Sequence, residues 1–117
     1  MPEYDDTCIF CKIAAGELGT ELLAETEHVV AFKDISPVAP VHILVIPRVH
    51  VESVHQLHSD QRDTWGEILE VAQKVATDAG IDEGGYRLVT NAGPDSGQEV
   101  PHLHIHVIGG RKLKSIG

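Results

Sequence analysis

The run Pro101-His102-Leu103-His104-Ile105-His106-Val107 restricts the fold of this chain more than any other stretch. Histidines alternate with apolar residues, which is the period of a β-strand. The pattern predicts His102, His104 and His106 on one face and Leu103, Ile105 and Val107 on the other. The apolar face demands a core. Pro101 has no N–H to give to a ladder, so the strand is expected to begin at His102.

The histidine face has three readings. It is a solvated polar side, a metal site, or a phosphate-handling row. Two histidines at i and i+2 can share one ion, but the third lies about 13 Å from the first along an extended strand. With zinc–nitrogen bonds of about 2.0 Å, one ion does not hold all three. Imidazole suits phosphate chemistry because its ordinary pKa, about 6.5, leaves most of it neutral and nucleophilic at pH 7.

A length of 117 residues argues for one domain, residues 1–117. A chain of this size buries roughly 60–70% of its unfolded surface and needs no disulfide framework. The formal net charge of −9 argues against a nucleic-acid partner, because phosphate backbones are bound by Lys and Arg clusters. Arg111, Lys112 and Lys114 form the densest basic group, and they lie in the tail. A phosphate-bearing substrate must then be held locally, by histidines and backbone donors. Residues Met1–Asp6 lack the basic start of a secretory leader, and no apolar run approaches 18 residues. A cytoplasmic protein without membrane contact is expected.

Cys8-Ile9-Phe10-Cys11 permits a disulfide, a redox pair or half of a zinc site. Zinc needs two further ligands, and composition alone does not choose among the eight histidines. Farther on, Leu22–Ala24, Val29–Phe32, His42–Ile46 and Tyr86–Asn91 read as strands. Pro37 and Pro40 make the intervening Asp34–Pro40 stretch a loop. Val51–Leu57 reads as a short helix, with His55 and His58 on the surface. Ser59 is the expected N-cap of a long helix, whose stripe is Trp65, Ile68, Leu69, Ala72, Val75, Ala76 and Ala79, closed by Gly80. Grouped strands and one long helix predict an α+β fold with an antiparallel sheet of about five strands.

Gly97-Gln98-x-Val100-x-His102-x-His104-x-His106, followed by two apolar residues, resembles the signature of the histidine-triad (HIT) family. The run Asp34-Ile35-Ser36-Pro37-x-Ala39-Pro40-x-His42-x-Leu44-Val45-Ile46-Pro47 resembles its histidine triad nucleotide-binding (Hint) branch. The resemblance covers Cys8 to Arg111. It implies a HIT fold and a homodimer that extends the sheet. It implies a structural zinc on Cys8, Cys11, His50 and His102, with no catalytic metal. It makes His104 the nucleophile, with its Nδ1–H on the His102 carbonyl, His106 a holder of phosphoryl oxygens, and His42 a fourth active-site histidine. Asp34 would hold ribose hydroxyls, Phe32 and Ile35 would line the base pocket, and Asn91, Gln98, Glu99 and Val100 would surround the phosphate.

The implied function is that of a purine nucleoside phosphoramidase or nucleotidyl hydrolase. It would act on an AMP or GMP derivative through a covalent nucleotidyl-histidine and release the 5′-monophosphate. Two alternatives accompany it: a dinucleoside polyphosphate hydrolase of the Fhit-like branch, and a nucleotide-binding interaction protein with little turnover. A metallohydrolase using the triad as ligands would lose activity to a chelator. Three departures bear on substrate choice. Position 99 is Glu rather than Ser, position 101 is Pro rather than an aromatic residue, and the tail lacks an aromatic-proline ending.

Overall fold

The computed structural model describes residues 4–116. Its centre is a five-stranded antiparallel sheet. In chain order the strands are β1 (Ala24–Glu25), β2 (Val29–Lys33), β3 (Val41–Pro47), β4 (Tyr86–Val89) and β5 (Ile105–Gly109). Their spatial order is β1-β2-β3-β5-β4. A six-residue helix α1 (Ile9–Ala14) lies on one face and the long helix α2 (Arg62–Asp78) on the other. Strands β2 and β3 are apolar on both faces because both are covered.

Alternation along the strands divides the core in two. Val29, Ala31, Ile43, Val45, Leu103, Ile105 and Val107 pack with Ile68, Val71, Ala72, Val75 and Ala76 of α2. Val30, Phe32, Leu44 and Ile46 point the other way and pack with Phe10, Cys11, Ile13 and Ala14 around α1. The register of β3 on β5 opposes Leu44 to His106 and His42 to Ile108. His42 and His106 are thereby diagonal neighbours on the α1 face, although 64 positions separate them in sequence.

Several local expectations need correction. The triad strand begins at Ile105, not His102. Backbone partners outside the ladder explain the delay: Leu103 N–H donates to Val51 O at 2.6 Å, and Thr90 Oγ1 donates to His104 O at 2.9 Å. The alternation of faces persists through this irregular stretch. Ser59 does not cap the long helix. It opens a 3₁₀ turn, Ser59–Gln61, where Gln61 Oε1 accepts from His58 N–H, and α2 starts at Arg62. The short helix expected at Val51–Leu57 shrinks to a 3₁₀ turn at Val54–Gln56, and the short α-helix is α1 instead. On α2 the buried stripe is Ile68, Val71, Ala72, Val75 and Ala76; of the other residues expected in it, Trp65 packs half-buried against the core, Leu69 is half-buried outside it, and Ala79, the C-cap, is exposed. Gly80 does end α2: with φ +76 it donates to Thr77 O while Ile81 N–H reaches Ala76 O, a Schellman closure.

Candidate active site and metal cluster

Three backbone groups of unambiguous role assign the ring protons along the α1 face. The carbonyl of Pro47 only accepts, so His102 carries its proton on Nε2, 2.8 Å away. The carbonyl of His102 likewise takes the Nδ1–H of His104 at 2.7 Å. A neutral His104 ring then presents a bare Nε2 lone pair. The N–H of Val38 only donates, and it lies 3.1 Å from His42 Nδ1, so the His42 proton sits on Nε2. That proton faces His106 Nδ1 at 2.8 Å, with Asp34 Oδ2 at 3.4 Å from the same nitrogen. His106 therefore keeps its own proton on Nε2 as a donor.

The rings form a packed row. His104 and His106 centroids are 5.0 Å apart, and His42 and His106 centroids 5.1 Å apart. Burial, together with the neighbouring His104 and His42, pushes the His106 imidazole down to about 4. It is neutral at pH 7, consistent with a proton donated by a dipole rather than by a cation.

The second cluster is Cys8, Cys11, His50 and His102, whose ligand atoms all lie within 4.8 Å of one another. Cys8 Sγ is 3.3 Å from His102 Nδ1, Cys11 Sγ is 3.4 Å from His50 Nδ1, and Cys11 Sγ is 3.5 Å from His102 Nδ1. A tetrahedral zinc site with bonds of about 2.3 Å to sulfur and 2.0 Å to nitrogen has sulfur–nitrogen edges of about 3.5 Å. The donor set fits a metal ion. His102 also has the outer hydrogen bond that metal-bound histidines use, from its far nitrogen to a backbone carbonyl. Burial pushes the Cys11 thiol up to about 11 and the His102 imidazole down to about 4.

Asp34, His42 and His106 also bring three ligand atoms within 4.8 Å. This trio fails the same chemical test. Because His42 Nδ1 accepts from Val38, its Nε2 is protonated and has no lone pair for an ion. We read it as a hydrogen-bonded row.

The remaining expected residues divide by position. Phe32 is buried in the α1-side core, and Asp34 holds Ser36 N–H at 2.7 Å. Ile35 is 98% exposed. Gln98 ties its own loop to the segment after β3: Nε2 donates to Val100 O and to Glu52 O, and Oε1 accepts from Gly93 N–H. Glu99 and Val100 border a recess beside Cys8 and His50. Asn91 is half-buried, two residues beyond the end of β4. A cavity of about 430 Å³ touches Asp34 and His42 but lies toward Ile43 and Val75 on the α2 side, and His104 does not line it.

Sequence reasoning missed Phe10. Its ring meets His104 edge-on at 5.2 Å, His102 at 5.9 Å and Phe32 at 5.6 Å. The available signal was its place between two cysteines that share one cluster.

An antiparallel sheet with a tautomer-locked histidine row on one face defines a histidine-triad protein. Comparison with known proteins agrees. A family model described as the HIT domain matches residues 15–113. Over 105 residues the chain is 42% identical to the purine nucleoside phosphoramidase of Escherichia coli, covering 90% of this chain and 88% of that protein. Protein HitA of Neisseria gonorrhoeae is 40% identical, over 89% of this chain and 96% of that one. A HIT family hydrolase from Clostridium thermocellum superposes with a TM-score of 0.92 at 44% identity, over 96% and 97% of the two chains. A histidine triad protein from Clostridium difficile gives 0.92 at 42%, over 97% and 98%. The chain belongs to the HIT family, and it is an enzyme of the hydrolase class.

Proposed function

We propose that this enzyme is a purine nucleoside phosphoramidase, cleaving the P–N bond of a nucleoside 5′-phosphoramidate. The observation that carries the reading is the 2.7 Å hydrogen bond from His104 Nδ1 to the His102 carbonyl, which commits the Nδ1 proton and turns Nε2 into the nitrogen free to attack, beside the His106 donor. The similarity to a phosphoramidase supports the choice of bond.

In this reading His104 Nε2 attacks the α-phosphorus and forms a phosphorus–nitrogen bond as the bond to the leaving amine breaks. The amine departs with one proton taken from solvent, and the water that attacks in the second step returns one to solvent. The Nε2–H of His106 holds a phosphoryl oxygen as charge builds on it. Water then attacks phosphorus, releases the nucleoside 5′-monophosphate and restores His104. Asp34 binds the ribose hydroxyls, and Phe32 and Ile35 border the base. Asn91, Val100 and the backbone near it face the phosphate, Gln98 shapes their loop, and Glu99 lies on the leaving-group side.

Zinc, when bound by Cys8, Cys11, His50 and His102, supplies a fixed tie between α1 and the segment before β5, and no open coordination position. We further read the protein as a cytoplasmic homodimer joined at β4, whose outer edge has no strand partner among the described residues. No helix among those residues is long and apolar enough to cross a membrane.

The test is AMP release from adenosine 5′-phosphoramidate by the wild type, His104→Ala and His104→Gln, checked for equal folding. Turnover by the wild type alone is expected. Equal turnover by all three removes His104 as nucleophile. Silence from the wild type, followed by cleavage of a diadenosine polyphosphate, moves the assignment to that reaction.

A further inference from the structure

The connection between β2 and β3, Asp34 to Pro40, carries Asp34 and Ile35 and leads into His42 on β3. Asp34 N–H donates to His42 O at 3.0 Å, Ser36 N–H to Asp34 Oδ1 at 2.7 Å, and Val38 N–H to His42 Nδ1 at 3.1 Å. A further bond comes from beyond β5: Arg111 Nη2 donates to Val38 O at 3.0 Å. Val38 is 61% exposed, so packing does little to hold it. Gly110 lets the tail come this close. Its φ is +97, and a Cβ there would lie 2.9 Å from Pro40 Cβ.

We propose that Arg111 is a positioning residue for the histidine row: by holding the Val38 carbonyl it keeps the Val38 N–H on His42 Nδ1, and so selects the tautomers of His42 and His106. The proposal rests on the reading of this row as the phosphoryl-transfer site. While His42 Nδ1 accepts, its proton stays on Nε2 and is given to His106 Nδ1. His106 then offers Nε2–H to the substrate. If Val38 drifts away, His42 is free to carry its proton on Nδ1, and its Nε2 becomes an acceptor. His106 must then donate from Nδ1, and its Nε2 meets a phosphoryl oxygen with a lone pair, which repels it. Asp34 Oδ2 favours the working tautomer too, at the longer distance of 3.4 Å, so loss of Arg111 weakens the selection without abolishing it.

Arg111→Ala and Arg111→Lys test this in two ways. Nitrogen-15 NMR of the ring nitrogens reads the tautomers with no substrate present. The wild type should show His42 and His106 as Nε2–H forms, Arg111→Ala a mixture, and Arg111→Lys a return toward wild type, since an ammonium still reaches the carbonyl as a single donor. In AMP release from adenosine 5′-phosphoramidate, kcat should fall about tenfold in Arg111→Ala at unchanged melting temperature, the effect of one hydrogen bond. The same change should cost nothing further in a His42→Ala background. Wild-type tautomers in Arg111→Ala, or an equal penalty in both backgrounds, overturn the proposal. A wild type inactive on the phosphoramidate overturns the functional reading instead, and the ring spectra still decide the role of Arg111.

Discussion

The His102 carbonyl accepts from His104 Nδ1–H at 2.7 Å, while the His102 Nδ1 lies 3.3 Å from the Cys8 thiol. One residue thus belongs to both the candidate metal cluster and the support of the His104 ring. Helix α1, which carries the candidate ligand Cys11, also brings Phe10 against that ring. In the proposed reading, anchoring and catalysis are coupled through these two residues, and the first prediction follows from that.

Removing the metal should lower stability and slow the reaction together. At a free zinc concentration a thousandfold above Kd, a structural ion adds about 4 kcal/mol. For a domain of this size that is on the order of 15–20 °C in Tm. Thermal melts with and without chelator should show this shift in the wild type and none in Cys8→Ser/Cys11→Ser. A wild type whose Tm ignores the chelator removes the structural-metal reading.

Acid should destabilise the metal-free protein. His102 is held down to about 4 by burial, against about 6.5 in the unfolded chain. Between those values the unfolded state binds more protons, so stability rises with pH and is lost as pH falls through the window. For His102 the full loss is about 3 kcal/mol. His106 adds a smaller share because solvent reaches it. Urea midpoints near neutrality and at about pH 5 should differ in that direction. Bound metal should suppress the His102 part, since it holds Nδ1 deprotonated. A midpoint that rises on acidification contradicts the assignment.

Phe10→Ala should cost about 3–5 kcal/mol, the range for a buried aromatic residue. Phe10→Leu keeps most of the volume and should cost less than about 1.5 kcal/mol. It should still lower kcat severalfold, because the edge-on wall of His104 is gone. Kinetics at matched folding decide this: a Leu variant with wild-type kcat makes Phe10 a packing residue and nothing more.

The covalent step should be visible directly. Rapid quenching of the wild type with adenosine 5′-phosphoramidate, followed by mass spectrometry, should find an adenylyl group on the peptide containing His104. His106→Ala should still form some adduct, with kcat reduced about 10²–10³-fold by loss of one oxyanion donor. An adduct on His106, or adduct retained in His104→Ala, would place the nucleophile elsewhere.

Much of this was legible in the chain because it rests on short-range pattern. Alternation from His102 to Val107 placed Leu103, Ile105 and Val107 in the core even where no ladder forms. The apolar β-branched run in β3 marked a strand covered on both faces. Family resemblance added the ligand set Cys8, Cys11, His50 and His102, whose spacing along the chain says nothing of proximity. Element boundaries were less legible. The start of β5 depends on Leu103 reaching Val51 O, and the start of α2 on a 3₁₀ turn whose loop geometry no propensity encodes.

The sequence by itself determined residue types and period: which side chains carry lone pairs, which face is apolar, where glycine permits a turn. Only the tertiary structure decided where the protons sit. The tautomers of His42, His102 and His104 are set by Val38 N–H, Pro47 O and His102 O. A backbone amide or carbonyl is chemically the same at every such position, so its influence comes from where the fold carries it. The same holds for the two clusters of three or more ligand side chains among the described residues, each built on a pair of histidines, one with two cysteines and the other with a carboxylate. One is fit for a metal and the other is a proton-bearing row because of what their outer nitrogens meet.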